Sequence, residues 1–140
     1  MKKESKKKFD RDAIKQRGFK RFLKSWSYSI DGLKYAYKNE QSMMIHFFAT
    51  ILVVSLGLAF EITLMEWCFA FISIGLVLAG ELINTSIEAV VDLVTTEIHP
   101  LAKIAKDCGS AATFVLSLIS AIIGSIVFVP YIAEFIERIF

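Results

Sequence analysis

Two prolines and seven glycines in 140 residues leave this chain few places to break, which excludes collagen-like, Pro-rich and disordered classes. Its two cysteines, Cys68 and Cys108, stand 40 positions apart with no CxxC pairing. Neither a zinc site nor a disulfide framework is expected, and both read as ordinary buried thiols. Charge is scarce too: Asp, Glu, Lys and Arg make up 21% of the chain, against 55% hydrophobic and 13% aromatic residues. A chain of this length makes one domain, and a soluble one could hardly cover so much apolar surface. It is expected in a bilayer.

The formal net charge of +2 hides an asymmetry. Residues 1–38 hold thirteen basic against four acidic side chains, a balance of +9; the remaining 102 residues hold three against ten, or −7. A basic arm on an apolar body points to anionic lipid at a cytoplasmic surface. Nucleic acid is not an expected partner, because the aromatics follow a helical stripe rather than forming scattered stacking platforms. A cleaved signal peptide is not expected either, since the basic stretch is long and no apolar core follows it directly.

Residues 1–8 (MKKESKKK) are low-complexity and read as a basic, disordered tail, ahead of one membrane domain over 9–140. Phe19, Phe22, Leu23, Trp26, Ile30, Leu33 and Tyr37 are spaced 3-1-3-4-3-4, which predicts an amphipathic surface helix over about 9–38, aromatic side in the acyl boundary. Gly32 marks a break in it or a close contact. Apolar runs predict three spans, at about 43–60, 67–91 and 111–133, the first interrupted only by His46. The connection 61–66 carries no Lys or Arg, whereas 92–110 carries Lys103 and Lys106. The N-terminus and 92–110 are therefore expected inside, and 61–66 and the C-terminus outside. The fold class is all-α and integral to the membrane.

The second span contains carboxylates that a bilayer should not. Glu81, Asn84, Glu88 and Asp92 fall within an arc of about 80° on one helix face. With Trp67 at the outer interface, Glu81 lies about 21 Å inward, just under the cytoplasmic interface, and Glu88 about 10 Å further, at it. An intramembrane ionisable group is a functional candidate by default. Asn84 alone could simply glue helices together. Two carboxylates and Asp92 on the same stripe are poor glue, because they repel unless protonated or bound to a cation. A proton or ion pathway is the other functional class, although its acids are normally spread along the pore. A non-enzymatic membrane subunit is a third. The following segment offers His99, Lys103, Lys106 and Asp107 before Gly109-Ser110, a small-residue turn expected to open the third helix, where Lys106 and helix N-terminal amides could meet phosphate. No Walker A sequence, glycine-rich kinase loop or HRD occurs, so phosphoryl transfer here would need carboxylate-bound Mg2+ and a base on the lipid side.

ELINTSIEAVVD (81–92), followed by HPLAKIAKDCGSAA (99–112), resembles the signature of the prokaryotic diacylglycerol kinase family, and RFLKSWSYSIDGLKYAYKNE (21–40) is similar as well. The resemblance runs from about Arg21 to the end of the third span. It implies a homotrimeric membrane lipid kinase with three spans and a surface helix per subunit, sites shared between neighbours, ATP as donor and Mg2+ as cofactor. Carried over, Glu81 matches the catalytic base and Asn84 its polar neighbour. Glu40 and Glu88 match the metal-binding acids. Arg21, Tyr28, His99, Lys106 and Asp107 match nucleotide-contacting positions, and Arg21, Glu81 and Ser110 lie at the lipid substrate. The longer Lys-rich N-terminus and Pro100 after His99 are similar to the Gram-positive branch. That branch mostly phosphorylates undecaprenol, whereas the Gram-negative form phosphorylates diacylglycerol. The implied place is the bacterial cell membrane, N-terminus inside, with the active site at the cytoplasmic interface.

Overall fold

The computed structural model describes residues 18–140. Within them the chain is all helix: α1 (Phe19–Asn39), α2 (Gln41–Ala59), α3 (Leu64–Val94) and α4 (Pro100–Ile139). The expected basic tail 1–8, and the part of the surface helix before residue 18, lie outside the described residues. The described chain falls into two units that divide after Lys34, the second being Tyr35–Phe140. In the first, α1 carries its aromatic stripe openly, with Phe22 between the rings of Phe19 and Trp26 at centroid distances of 6.3 Å each. α1 runs through Gly32 unbroken, with open space where a Cβ would sit. The expected break or close contact is absent because nothing there demands one.

In the second unit, α2, α3 and α4 are each long and apolar enough to cross a membrane. Their buried side chains include Ser73, Glu81, Asn84, Thr85 and Thr113, while many Leu, Ile and Phe are exposed. That distribution is inverted from a water-soluble domain and suits lipid as the solvent. The same inversion corrects the expectation for the cysteines: Cys68 and Cys108 are both exposed, on helix faces the chain does not cover itself.

The helix ends differ from the hydropathy limits for local reasons. α2 stops in a Schellman motif. Glu61 takes the left-handed conformation at φ 51°, and the Ile62 N–H reaches back to the Gly57 carbonyl at 3.2 Å. Gly57 is required, since a Cβ there would lie 2.7 Å from the Trp67 ring. α3 starts at Leu64 because Thr63 and Glu66 form a capping box. Glu66 also accepts from the Tyr131 hydroxyl of α4 at 2.8 Å. Ile62, Val127 and Phe128 are buried beside this corner, packed with Leu56, Phe60 and Trp67.

α4 begins at Pro100, not near residue 111. The His99 Nδ1 accepts the Leu101 N–H at 3.2 Å, and Pro100 supplies a preset first turn. Gly109-Ser110 therefore lies inside the helix and opens nothing. The expected phosphate-facing amides at Gly109 are spent in the helix ladder. At 31 and 40 residues, α3 and α4 extend about 46 and 60 Å, well beyond a hydrocarbon core of about 30 Å.

Candidate active site

A pocket of about 400 Å³ is lined by Glu40, Ser42, Glu81, Asn84, Glu88 and Ser110, with Thr113, Phe114 and Ser117 completing the wall. Three helices contribute. α3 presents Glu81, Asn84 and Glu88 because their spacing puts them on one face. α2 supplies Ser42 and, at its N-cap, Glu40, whose side chain makes no capping bond. α4 supplies Ser110 and the wall beyond it.

Glu81 is 6% exposed, which makes its hydrogen bonds decisive: an unpartnered carboxylate in apolar surroundings is costly. Two side chains of α2 meet it. The Ser42 hydroxyl donates to Oε2 at 2.9 Å, and His46 Nε2 lies 3.1 Å from Oε1. One turn along α3, the Asn84 Nδ2 donates to Glu88 Oε1 at 3.0 Å. That contact holds Glu88, whose second oxygen makes no hydrogen bond among the described residues. The Asn84 Oδ1 finds no partner among the described residues and packs on the bare Cα of Gly109.

Glu40, Glu81, Asn84, Glu88 and Ser110 are thus brought together. Asp92, Lys106, Asp107 and His99 are not on the pocket wall within this chain. Lys106 is 2.6 Å from Asp92, and that hydrogen bond holds its ammonium above the ordinary lysine range; it stands ahead of the apolar run that opens at Ala111. Asp107 pairs with Lys103, and His99 caps α4. Arg21 and Tyr28 lie on the part of α1 belonging to the first unit. Ser42 and His46 were not among the residues singled out from sequence. The available signal was His46 itself, a lone ionisable side chain in an apolar span.

The model of prokaryotic diacylglycerol kinase matches residues 27–128, a stretch that contains every side chain of this pocket. The chain belongs to that family. An undecaprenol kinase of Bacillus subtilis is 39% identical over 110 residues, which cover 79% of this chain and 89% of the relative. A diacylglycerol kinase of Haemophilus influenzae is 36% identical over 115 residues, 81% and 98% of the two chains. That of Escherichia coli K12 is 34% identical over 105 residues, 75% and 86%.

The packing of Gly109 generates a test. In Gly109→Ala the new Cβ would collide with Asn84 Oδ1 and push the amide off Glu88. Kinase turnover should fall by about 10-fold or more, because misplaced groups lose the benefit of orientation. The measurement is the rate of lipid phosphorylation by folded protein. Undiminished turnover would mean that Asn84 does not set the position of Glu88.

Proposed function

We propose that this chain is an ATP- and Mg2+-dependent kinase of a membrane lipid hydroxyl, working at the cytoplasmic face of the bacterial cell membrane, with undecaprenol as acceptor. The observation that carries the reading is Glu81, a buried carboxylate held by two donors, facing the same pocket as Glu40 and Glu88. The basic N-terminal stretch, with Lys103 and Lys106 after α3, supports placing this end inside. The reading includes a homotrimer with sites shared between neighbours, through which Arg21, Tyr28, His99, Lys106 and Asp107 would serve the nucleotide. It involves no nucleic acid.

In this mechanism Glu81 takes the proton of the lipid hydroxyl. The hydroxyl oxygen forms its bond to the γ-phosphorus as the bond to the β,γ-bridging oxygen breaks, and ADP leaves with that electron pair. Ser110 borders the approach of the lipid. Asn84 keeps Glu88 in place. The donor set fits Mg2+. Two carboxylates, Glu40 without a capping bond and Glu88 with one oxygen unbonded among the described residues, match a hard ion held by one or two carboxylates and substrate phosphates. Among the described residues, no three His, Cys, Asp or Glu side chains converge into an all-protein metal cage. When bound, the ion supplies neutralisation of the phosphate charge. Everything else asked of the protein is positioning.

The choice of undecaprenol draws on the similarity to the Bacillus subtilis kinase and on a cavity beside His46. That cavity, about 250 Å³, lies among α2, α3 and α4 and is almost wholly apolar. Of its hydroxyls, Thr50 donates to the His46 carbonyl and Ser120 to that of Ser73, which leaves the buried Ser73 hydroxyl, without a partner among the described residues, as one spare donor for two ester carbonyls. A branched hydrocarbon suits such walls, whereas ester carbonyls would need donors. Diacylglycerol is the second reading, favoured by the names of the Haemophilus and Escherichia relatives.

Glu81→Gln keeps the shape and removes the proton acceptor, so turnover should drop by about 100-fold or more with the fold retained. Near-normal activity in folded Glu81→Gln protein would sink the base assignment. Glu88→Gln should raise the Mg2+ concentration needed for half-maximal rate, because a hard cation prefers anionic oxygen; an unchanged Mg2+ titration would make Glu88 structural. The acceptor is tested by kcat/KM for undecaprenol and diacylglycerol in one bilayer at equal mole fraction. Undecaprenol should win, and a clear preference for diacylglycerol would overturn that choice while leaving the kinase reading intact.

A further inference from the structure

Glu81 has to be both buried and ionised if it is the base, and these demands conflict. Burial favours the neutral acid, which cannot accept a proton. Something must support the anion without consuming its basicity. On α2, Ser42 and His46 are four positions apart and share the face turned to α3. Each reaches a different oxygen of the same carboxylate: Ser42 Oγ donates to Oε2 at 2.9 Å, and His46 Nε2 stands 3.1 Å from Oε1. A carboxylate only accepts, so the proton in the second contact belongs to His46 Nε2.

We propose that His46 is a positioning residue for Glu81, an imidazole donor that keeps the buried carboxylate charged and aimed, with Ser42 as its companion. This rests on Glu81 being the base. An ionised carboxylate offers about four acceptor positions, and two donors leave the remainder for the lipid hydroxyl. A permanent cation in place of His46 would bind the carboxylate as an ion pair and blunt its affinity for a proton. An imidazole donates without needing a fixed charge. His46 also lines the apolar cavity, while Glu81 lines the polar pocket. The contact therefore stands on the boundary between the two spaces, where the lipid hydroxyl has to arrive.

The groups facing Glu81 are few. α2 contributes Ser42, His46 and, across the pocket, Glu40. α3 contributes Glu88, held by Asn84. α4 contributes Ser110, Thr113 and Ser117, none of them charged. Because Glu40 and Glu88 share the pocket, the Glu81–His46 contact is read from the difference between wild type and the His46 variants, not from the acid limb alone.

The experiment measures kcat and the KM for MgATP against pH for wild type, His46→Ala, His46→Gln and His46→Asn, each purified in folded form. Gln carries an N–H donor at the reach of Nε2; Asn carries the same chemistry one methylene short. In His46→Ala, kcat at neutral pH should fall by about 10- to 100-fold, the loss of one charge-assisted hydrogen bond. The KM for MgATP should stay within about 2-fold, and the acid limb of the kcat profile should move to higher pH. His46→Gln should recover most of the rate and His46→Asn should not. If His46→Ala does not fold, the Gln and Asn pair carries the test alone. An acid limb that stays in place in the impaired variants, or equal impairment of Gln and Asn, would make His46 mere helix-to-helix glue and overturn the proposal. Glu81→Gln keeps the two layers apart. If it retains turnover, the base reading itself falls; if it is dead while His46→Ala keeps the wild-type profile, only the role of His46 falls.

Discussion

A carboxylate inside an apolar helix cannot be left alone, and the arrangement around Glu81 follows from that constraint. α3 is apolar for most of a bilayer's depth before this residue interrupts it. The alternatives are to protonate it, expose it, or bring donors to it. The chain brings donors, and they come from another helix. The register between α2 and α3 is thereby tied to a chemical need, because sliding one helix by a turn would strand the charge. At the other end the same pair of helices is fixed by shape, with the Trp67 ring over Gly57 and Ile62 tucked under the turn.

α4 is held differently. It meets α3 through small residues: Gly109 against the Asn84 amide, and Gly80 opposite Leu116, whose Cδ1 would lie 2.6 Å from an added Cβ. Close approach of backbones is how helices associate where lipid removes the hydrophobic drive. The approach at Gly109 also seats the side chain that seats Glu88. Packing and site geometry are one arrangement here, and so few buried residues suffice.

Much of this was legible in the sequence because it is periodic. The apolar runs announce three spans, and the shared face of Glu81, Asn84 and Glu88 follows from 3.6 residues per turn. What escaped was tertiary. Ser42 sits just before the apolar run and looks like an ordinary polar helix start; only the neighbouring helix gives it a purpose. His46 looked like an interruption. Gly109 read, with Ser110, as a turn opening the third helix, yet its missing side chain serves a neighbour rather than a turn of its own backbone. The start of α4 was misjudged because hydropathy marks where lipid begins, not where a helix begins. His99 and Pro100 carried the true signal. The cysteines were misplaced by a rule made for water, under which apolar neighbours mean the inside.

The turn between α2 and α3 is only residues 60–63, closed by the left-handed Glu61. A connection that short makes the two helices a hairpin, and the partners of Glu81 lie 35 and 39 positions before it in the chain. Local loops close fast and at small entropic cost. During synthesis the charge therefore has its donors within reach as soon as it emerges, because both precede it in the chain. The most hazardous side chain in the protein need never face the hydrocarbon unaccompanied, and the last helix docks onto a charge that is already satisfied.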